Sequence, residues 1–217
     1  MKLDTDHAAE KRTYRQGARA TAAADTYRRV VEAFLARMET LMFDEITLDS
    51  VAAAAGVTVQ TVIRRFASKE GLLRAAAQCL GKDIQLRRAV SHGGTSAFVK
   101  ALVDDYEITG DLTIRLLAQE QHAAVSEVLA LGRRSHRQWV AEVFRSSLQS
   151  MARGTRERLL AGLIVLTDVY TWKLLRRDQE FSASGTAAVM LELIEASLGA
   201  ATSRRTTAEE YTRRSTC

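Results

Sequence analysis

The chain of 217 residues contains no proline and only 12 glycines. Helix breakers are therefore scarce, whereas alanine and leucine, which are strong helix formers, are abundant. Strand-rich segments, with short alternating runs of β-branched and aromatic residues, are absent. The hydrophobic content of 47% is ample for a buried core. The sequence therefore predicts an all-α protein.

The most informative stretch is TLDSVAAAAGVTVQTVIRRF, residues 47–66. Its spacing predicts a helix over residues 48–55 with Thr47 as the N-cap. Gly56 tolerates the left-handed backbone of a C-cap, and Thr58 offers a new cap oxygen for a second helix. The stretch is thus predicted to form a helix, a tight turn and a second helix.

The second helix has two chemically different faces. At about 100° per residue, its apolar positions Val59, Val62 and Phe66 point inward. The opposite face carries amides, hydroxyls and guanidiniums, which can read base edges or bind phosphate in a major groove: Gln60, Thr61, Arg64 and Arg65. From periodicity alone, a small amphipathic helix pair with a solvated polar face remains an equal alternative.

Residues 27–73 resemble the DNA-binding domain of the TetR (tetracycline-repressor-like) family. In that family a threonine opens the second helix, a glycine and an apolar residue form the turn, and a Phe-x-Ser-Lys-Glu segment leads into the fourth helix. This chain has the matching residues at Thr47, Gly56, Val57, Phe66, Ser68, Lys69 and Glu70. The resemblance implies that the second helix of the pair enters the major groove.

The chain departs from the family pattern at three positions. Ile63 stands where a phosphate-binding tyrosine is common, and Arg65 stands where a histidine is common. Gln60 replaces a small residue and is the first candidate for reading adenine. The full set of predicted DNA contacts is Thr47, Thr58, Val59, Gln60, Thr61, Ile63, Arg64, Arg65 and Lys69.

The pattern divides the chain into four parts. We expect a flexible basic arm at 1–24, a three-helix helix-turn-helix domain at 25–73, a larger helical domain at 74–201 and a disordered tail at 202–217. The arm either lies along DNA or only solubilises the chain. With helical patterns at about 96–108, 111–122, 124–152, 155–177 and 184–201, about nine helices are expected in all.

The helices at 155–177 and 184–201 are apolar on two sides. Such helices must bury one face in their own core and the other against something else. The simplest partner is a second copy of the chain, so a homodimer is predicted. The alternative is that both are central helices of a monomer.

The family resemblance implies a ligand pocket between central helices of the larger domain, for a small apolar or amphipathic effector. Six side chains in the corresponding helices are suited to line an apolar cavity with a few polar handles: Tyr106, His122, Trp139, Phe144, Tyr170 and Trp172. The alternative for each is an ordinary core position.

Nothing in the sequence predicts catalysis, a cofactor or a metal site. The four histidines are scattered, and the pair Asp104 and Asp105 is expected on solvated helix faces. Cys79 and Cys217 are isolated, which fits a reducing cytoplasm. Because no signal peptide and no run of 18 apolar residues is present, we expect a cytoplasmic protein that does not enter membranes.

These observations predict a dimeric repressor that binds double-stranded DNA at a palindromic operator and is released by a small molecule. The net charge of +5 permits binding to a polyanion. Residues 1–90 hold most of the excess, with 15 Lys and Arg against 11 Asp and Glu. Two alternatives remain: a constitutive DNA-binding regulator without a ligand, and a helical dimeric interaction protein that has lost DNA binding.

Overall fold

The computed structural model describes residues 4–89 and 94–214, with side chains described for 20–89 and 94–203. Within those ranges all regular structure is helical and no strand occurs, which confirms the all-α prediction. The chain divides into two compact units between Cys79 and Leu80. No helix in the described ranges is long and apolar enough to cross a membrane.

The first unit is built from four helices and one short turn. They are α1 (Asp4–Met38), a 3₁₀ turn (Phe43–Glu45), α2 (Leu48–Ala55), α3 (Val59–Phe66) and the first part of α4 (Lys69–Arg87). Each helix contributes apolar side chains to one core. The fully or almost fully buried members are Val30, Phe34, Met38, Phe43, Ile46, Val51, Val62 and Leu72.

Helix α1 is joined to α2 by two arginines as well as by the core. Arg29 donates a hydrogen bond from Nη1 to the carbonyl of Ala55, at 3.0 Å. Arg37 donates from Nη2 to the carbonyl of Ser50, at 3.1 Å. Ala55 is the last residue of α2, where a positive charge is favoured by the helix dipole and unsatisfied carbonyls need donors. The two arginines therefore fix the orientation of α2 on α1.

The structure differs from the expected flexible arm and disordered tail. Helix α1 begins at Asp4 rather than near residue 25, and α10 (Ala183–Arg214) continues through most of 202–217. Residues 18–24 are rich in alanine, whose high helix propensity favours the extension of α1 toward its N-terminus. Residues 1–3 and 215–217 lie outside the described part of the chain.

The second unit contains the rest of α4 and six further helices. They are α5 (Gly94–Leu117), α6 (Ala123–Val143), α7 (Arg145–Gln149), α8 (Arg153–Leu166), α9 (Val169–Lys173) and α10. Its core is aromatic and aliphatic, with Phe98, Leu102, Val140, Leu163, Trp172, Met190 and Ile194 fully buried.

Helix boundaries in the second unit differ from the predicted ones at three places, one of which is the pattern at 124–152, divided into α6 and α7 at Phe144. The patterns at about 96–108 and 111–122 form the single helix α5, because Gly110 lies inside the helix rather than at a join. Gly110 faces the ring of Trp172, and a Cβ added there would lie 2.3 Å from Trp172 Cζ3. The glycine is therefore explained by close packing and not by a turn.

The predicted helix at 155–177 is divided into α8, α9 and a π turn (Leu174–Asp178). Asp168 caps α9 by accepting a hydrogen bond from the Tyr170 backbone N–H at 2.9 Å. The π turn brings Arg176 to the carboxylate of Glu107 on α5. Arg176 Nε donates to Oε1 and Nη2 donates to Oε2, each at 2.9 Å. Trp172 also donates to Glu107, at 2.9 Å. These contacts tie the end of the broken helix to α5.

Candidate nucleic-acid interface

The turn between α2 and α3 has the geometry that the sequence predicts. Gly56 adopts the left-handed conformation, with φ of 64° and ψ of 41°, and its N–H is directed at the carbonyls of Ala52 and Ala53. Thr58 is the N-cap of α3 and accepts a hydrogen bond from the Thr61 N–H at 3.3 Å. Thr47 caps α2 in the same way through the Ser50 N–H, at 3.2 Å. The predicted caps and C-cap are confirmed.

The hydroxyl oxygen of each capping threonine thus already accepts one hydrogen bond within the fold. Thr47 and Thr58 are both exposed at their helix ends, and the hydroxyl oxygens of Thr58 and Thr61 lie 2.9 Å apart. A phosphate oxygen accepts hydrogen bonds and so requires the hydroxyl proton, which the cap does not use in Thr47 and which is available in Thr58 when Thr61 donates to it. Helix N-termini also favour anions.

Helix α3 buries one side and exposes the other. Val62 and Phe66 are buried, and Val59 and Thr61 are half-buried. The exposed side chains are Gln60, Ile63 and Arg64. Because these three follow the spacing i, i+3, i+4, they lie together on one face of the helix. This face holds an amide, an apolar side chain and a guanidinium.

Arg65 is directed away from that face. Its Nη2 donates to the carbonyl of Ala23 in α1 at 2.7 Å, and its guanidinium carbon lies 5.9 Å from the centre of the Tyr27 ring. Tyr27 in turn packs against Phe66, with ring centroids 5.1 Å apart. The structure thus gives Arg65 a role in holding α3 on α1.

Lys69 at the start of α4 is also engaged within the first unit. Its Nζ donates to the carbonyl of Phe43 at 2.8 Å and lies 4.5 Å from the centre of the Phe43 ring. A second carbonyl, that of Asp44, is 3.4 Å away. Lys69 therefore fixes the 3₁₀ turn that precedes α2.

The six side chains predicted to line a ligand pocket do not form one set. Tyr106, Trp139, Phe144 and Trp172 contribute to the core of the second unit. His122 lies at the N-cap position of α6, and Tyr170 is 54% exposed on α9. Neither of the two grooves described below is lined by any of the six.

A buried ion-pair cluster lies among these aromatic side chains. Asp105 has no solvent exposure, and its two carboxylate oxygens accept from Arg87 Nε at 2.7 Å and from Arg88 Nε at 2.8 Å. Arg88 Nη2 also lies 2.7 Å from Asp105 Oδ2. The Thr109 hydroxyl donates to the Asp105 carbonyl at 2.9 Å. The last turn of α4 is thereby bound to α5 through one carboxylate.

The guanidinium of Arg88 lies between two aromatic rings. Its carbon is 4.9 Å from the centre of the Tyr106 ring and 5.0 Å from that of Trp139. The Tyr106 hydroxyl donates to the Thr167 carbonyl at 3.0 Å. Burial raises the pKa of Tyr106 to about 12, so this phenol stays protonated as a donor.

His136 completes the cluster in its neutral form. Burial, assisted by the positive charge of Arg88, lowers the pKa of His136 to about 4. The Thr167 hydroxyl donates to the Leu163 carbonyl at 2.7 Å, so it accepts from His136 Nε2 at 3.0 Å. His136 Nδ1, the acceptor of this tautomer, then faces Arg88 Nη1 at 3.4 Å.

The sequence expectation for Asp105 was wrong. Asp104 is exposed and pairs with Lys100, but the side chain of Asp105 is fully buried. The sequence did contain an indication, because Asp105 follows the apolar residues Phe98 and Leu102 by seven and three positions, which places it on their face of a helix. Nothing in the sequence indicates that Arg88 and His136 would meet it, since both are distant in the chain.

Two open grooves lie on the surface of the described residues. One, of about 700 Å³, is lined in the first unit by α1 and the C-terminal end of α2, including Arg29, Arg37 and Gly56. The other, of about 420 Å³, lies between α8 and α10. In the described ranges, no group of three or more His, Cys, Asp or Glu side chains could hold a metal ion.

A helix-turn-helix with capped helices and an exposed polar face on its second helix defines a DNA-binding domain of the type found in transcriptional regulators. Residues 43–76, which contain α2 and α3, match the family model described as bacterial regulatory proteins, tetR family. The TetR resemblance stated from the sequence is thus confirmed.

Solved structures share the fold over most of the chain. A tetR-family transcriptional regulator from Streptomyces coelicolor is 17% identical, with a TM-score of 0.66 and 88% of each chain covered. A transcriptional regulator from Rhodococcus sp. Rha1 is 14% identical, with a TM-score of 0.64, covering 80% of this chain and 96% of its own. A chain from Pseudomonas aeruginosa PAO1 assigned as a transcriptional regulator is 18% identical, with a TM-score of 0.67, covering 82% and 92%. No curated protein matches the sequence.

Proposed function

We propose that this protein is a sequence-specific, dimeric transcriptional repressor that a small molecule releases from its operator. The observation that carries the proposal is the exposed face of α3, on which Gln60 and Arg64 are free of the core of a helix-turn-helix. An amide reads adenine and a guanidinium reads guanine or binds phosphate, so this face has the chemistry of a recognition helix. Such a protein acts in the cytoplasm, where its DNA lies.

The predicted DNA contacts then divide into two groups. Gln60, Ile63 and Arg64 face the bases, with Val59 and Thr61 at the edges of that surface. Thr47 and Thr58 use exposed helix ends to bind backbone phosphates. Arg65 positions α3 on α1 and Lys69 holds the 3₁₀ turn before α2, so both contribute to DNA binding less directly.

A second copy of the chain is the proposed partner. The groove between α8 and α10 is lined mostly by small or apolar residues, together with one arginine: Thr155, Arg158, Leu159, Gly162, Leu193, Ala196, Ser197, Ala200 and Ala201. Val165, on the same face of α8 as Gly162, is 64% exposed, and Leu193 is 43% exposed. Small residues allow two helices to approach closely, so a partner helix pair could bury this face. Two recognition helices would then meet successive turns of a palindromic operator.

The effector is proposed to bind the second unit and to act through α4, which begins in the first unit and ends in the second. A ligand changes DNA affinity only if it binds the two states of the protein unequally. We expect a small apolar or amphipathic molecule whose binding disfavours the spacing of α3 helices that the operator requires. A constitutive regulator without a ligand is the alternative, and it would show no shift in melting temperature with any candidate compound.

The test is selection of bound sequences from a random duplex pool, repeated at low and moderate salt. A palindromic motif with half-sites about one helical turn apart, or overlapping, is the expected result. A protein with Gln60 and Arg64 both replaced by alanine should recover no motif while keeping its helical content. The proposal would be contradicted if the unaltered protein bound DNA weakly, selected no motif and lost its binding at moderate salt. The better explanation would then be a helical interaction protein that does not bind an operator.

A further inference from the structure

Ile63 is an apolar side chain on the polar face of α3. It is 40% exposed, although α3 already anchors itself through Val62, which is fully buried, and Phe66, which is 7% exposed. Ile63 lies three residues after Gln60 and beside Arg64, the two exposed polar side chains of the helix. The core of the first unit therefore does not explain why an isoleucine occupies this position.

The chemistry of the major groove offers Ile63 one apolar partner. Base-pair edges there present hydrogen-bond donors and acceptors, and the only apolar group among them is the C5-methyl of thymine. Isoleucine has no donor and cannot bind a phosphate oxygen. Contact with the methyl group would remove apolar surface of both partners from water.

We infer that Ile63 packs against the C5-methyl group of a thymine in each operator half-site and so determines specificity at that base pair. This inference rests on the proposed function, because it assumes that α3 enters the major groove. Gln60 and Arg64 would read neighbouring purines from the same face, so the thymine is expected next to an adenine or guanine contacted by one of them. Each half-site would thus combine one apolar contact with two polar ones.

Deoxyuridine scanning of the selected operator tests the inference. Replacing thymine by deoxyuridine removes only the methyl group and leaves base pairing unchanged. One position in each half-site should lose affinity by about fourfold on this replacement, the effect of about one buried methyl or methylene group. Substitution in both half-sites should lose about 15-fold in a dimer that uses them equally.

The assignment to Ile63 requires a matched pair of variants. In Ile63→Ala the same thymine should become insensitive to deoxyuridine, because the side chain that contacts the methyl group is gone. Ile108→Ala removes an isoleucine that is 66% exposed on α5 and should keep the full sensitivity. Both side chains are exposed, so both variants are expected to fold, and their melting curves check this.

The possible outcomes separate this inference from the proposed function. The role of Ile63 is overturned if the protein binds its operator specifically but no thymine methyl group affects affinity. It is also overturned if Ile63→Ala leaves the sensitivity of that thymine unchanged. Either result leaves the repressor proposal intact. Failure of the pool selection to return any motif overturns both.

Discussion

Arg65 donates a hydrogen bond to the backbone carbonyl of Ala23, with Nη2 and the oxygen 2.7 Å apart. Its neighbour Arg64 is exposed. Two adjacent arginines of one helix thus have different surroundings, one in the packing of α3 on α1 and the other on the surface proposed to meet DNA. The difference allows the two roles to be separated by experiment.

Replacing Arg64 by alanine should weaken operator binding and reduce the salt dependence, with the slope of log K against log salt falling by about one per subunit. Arg65→Ala should instead lower the free energy of unfolding by about 1 to 2 kcal/mol, because a hydrogen bond from a charged group is lost. Binding isotherms at several salt concentrations and urea unfolding measure the two effects. Equal salt slopes in the two variants would contradict this division.

Asp105→Asn should destabilise the protein by about 3 kcal/mol or more. The substitution leaves the charges of Arg87 and Arg88 without their buried carboxylate. Asp104→Asn is the matched control, since Asp104 is exposed and its pair with Lys100 is a surface one. The control should lie within about 0.5 kcal/mol of the unaltered protein in urea unfolding. Similar losses in both variants would show that Asp105 carries no special weight.

His136 should make the free energy of unfolding depend on pH below about 6.5. In the unfolded chain the pKa of His136 is about 6.5, the ordinary value for histidine, whereas in the folded protein it is lowered to about 4. Between these values the unfolded state holds more protons, so stability rises with pH and is lost as the pH falls from about 6.5 to about 4. The total loss is at most about 3 kcal/mol, reduced by the partial exposure of the side chain.

Urea unfolding at pH 7.5 and pH 5.0 measures this contribution against a His136→Gln variant. Glutamine does not titrate, so the unaltered protein should lose up to about 2 kcal/mol more than the variant over this interval. The same pH dependence in both proteins would show that His136 titrates normally in the folded state.

Gly110→Ala should destabilise the second unit by about 1 to 3 kcal/mol through overpacking. The added Cβ would meet the fully buried ring of Trp172 at 2.3 Å. Gly132 in α6 has no atom within 4 Å of an added Cβ, so Gly132→Ala should stabilise the helix by about 0.5 to 1 kcal/mol. Thermal unfolding should therefore shift in opposite directions, and a shift of the same sign would be inconsistent with the packing described.

Leu193→Lys should convert the proposed dimer into a monomer. Leu193 lines the groove between α8 and α10 together with Arg158, so a lysine at this position adds a second positive charge whose burial opposes association. Leu131→Lys is the control, because Leu131 is exposed to a similar extent, 49% against 43%, but lies on α6 outside this groove. Sedimentation should give a monomer for the first variant and a dimer for the second. A dimer in both would exclude this face as the interface.

Local patterns were sufficient for the helix-turn-helix. The caps at Thr47 and Thr58, the left-handed Gly56 and the inward positions of Val62 and Phe66 depend on residues at most a few positions apart. Each prediction followed from helix period and capping chemistry, which act over one or two turns.

Other features depended on contacts between residues that are distant in the chain. The neighbouring residues Arg64 and Arg65 differ in their surroundings because Arg65 donates a hydrogen bond to Ala23, which is 42 positions earlier. Gly110 marks no helix join because the ring of Trp172 fills the space beside it.

The sequence alone therefore determined the helical class, the helix-turn-helix and the TetR resemblance, since helix propensity, capping and turn geometry are encoded in short segments. Only the tertiary structure decided which polar groups are buried together. Asp105 lies on α5, His136 on α6 and Arg88 directly after α4, and the desolvation that keeps His136 neutral exists only once these segments have packed.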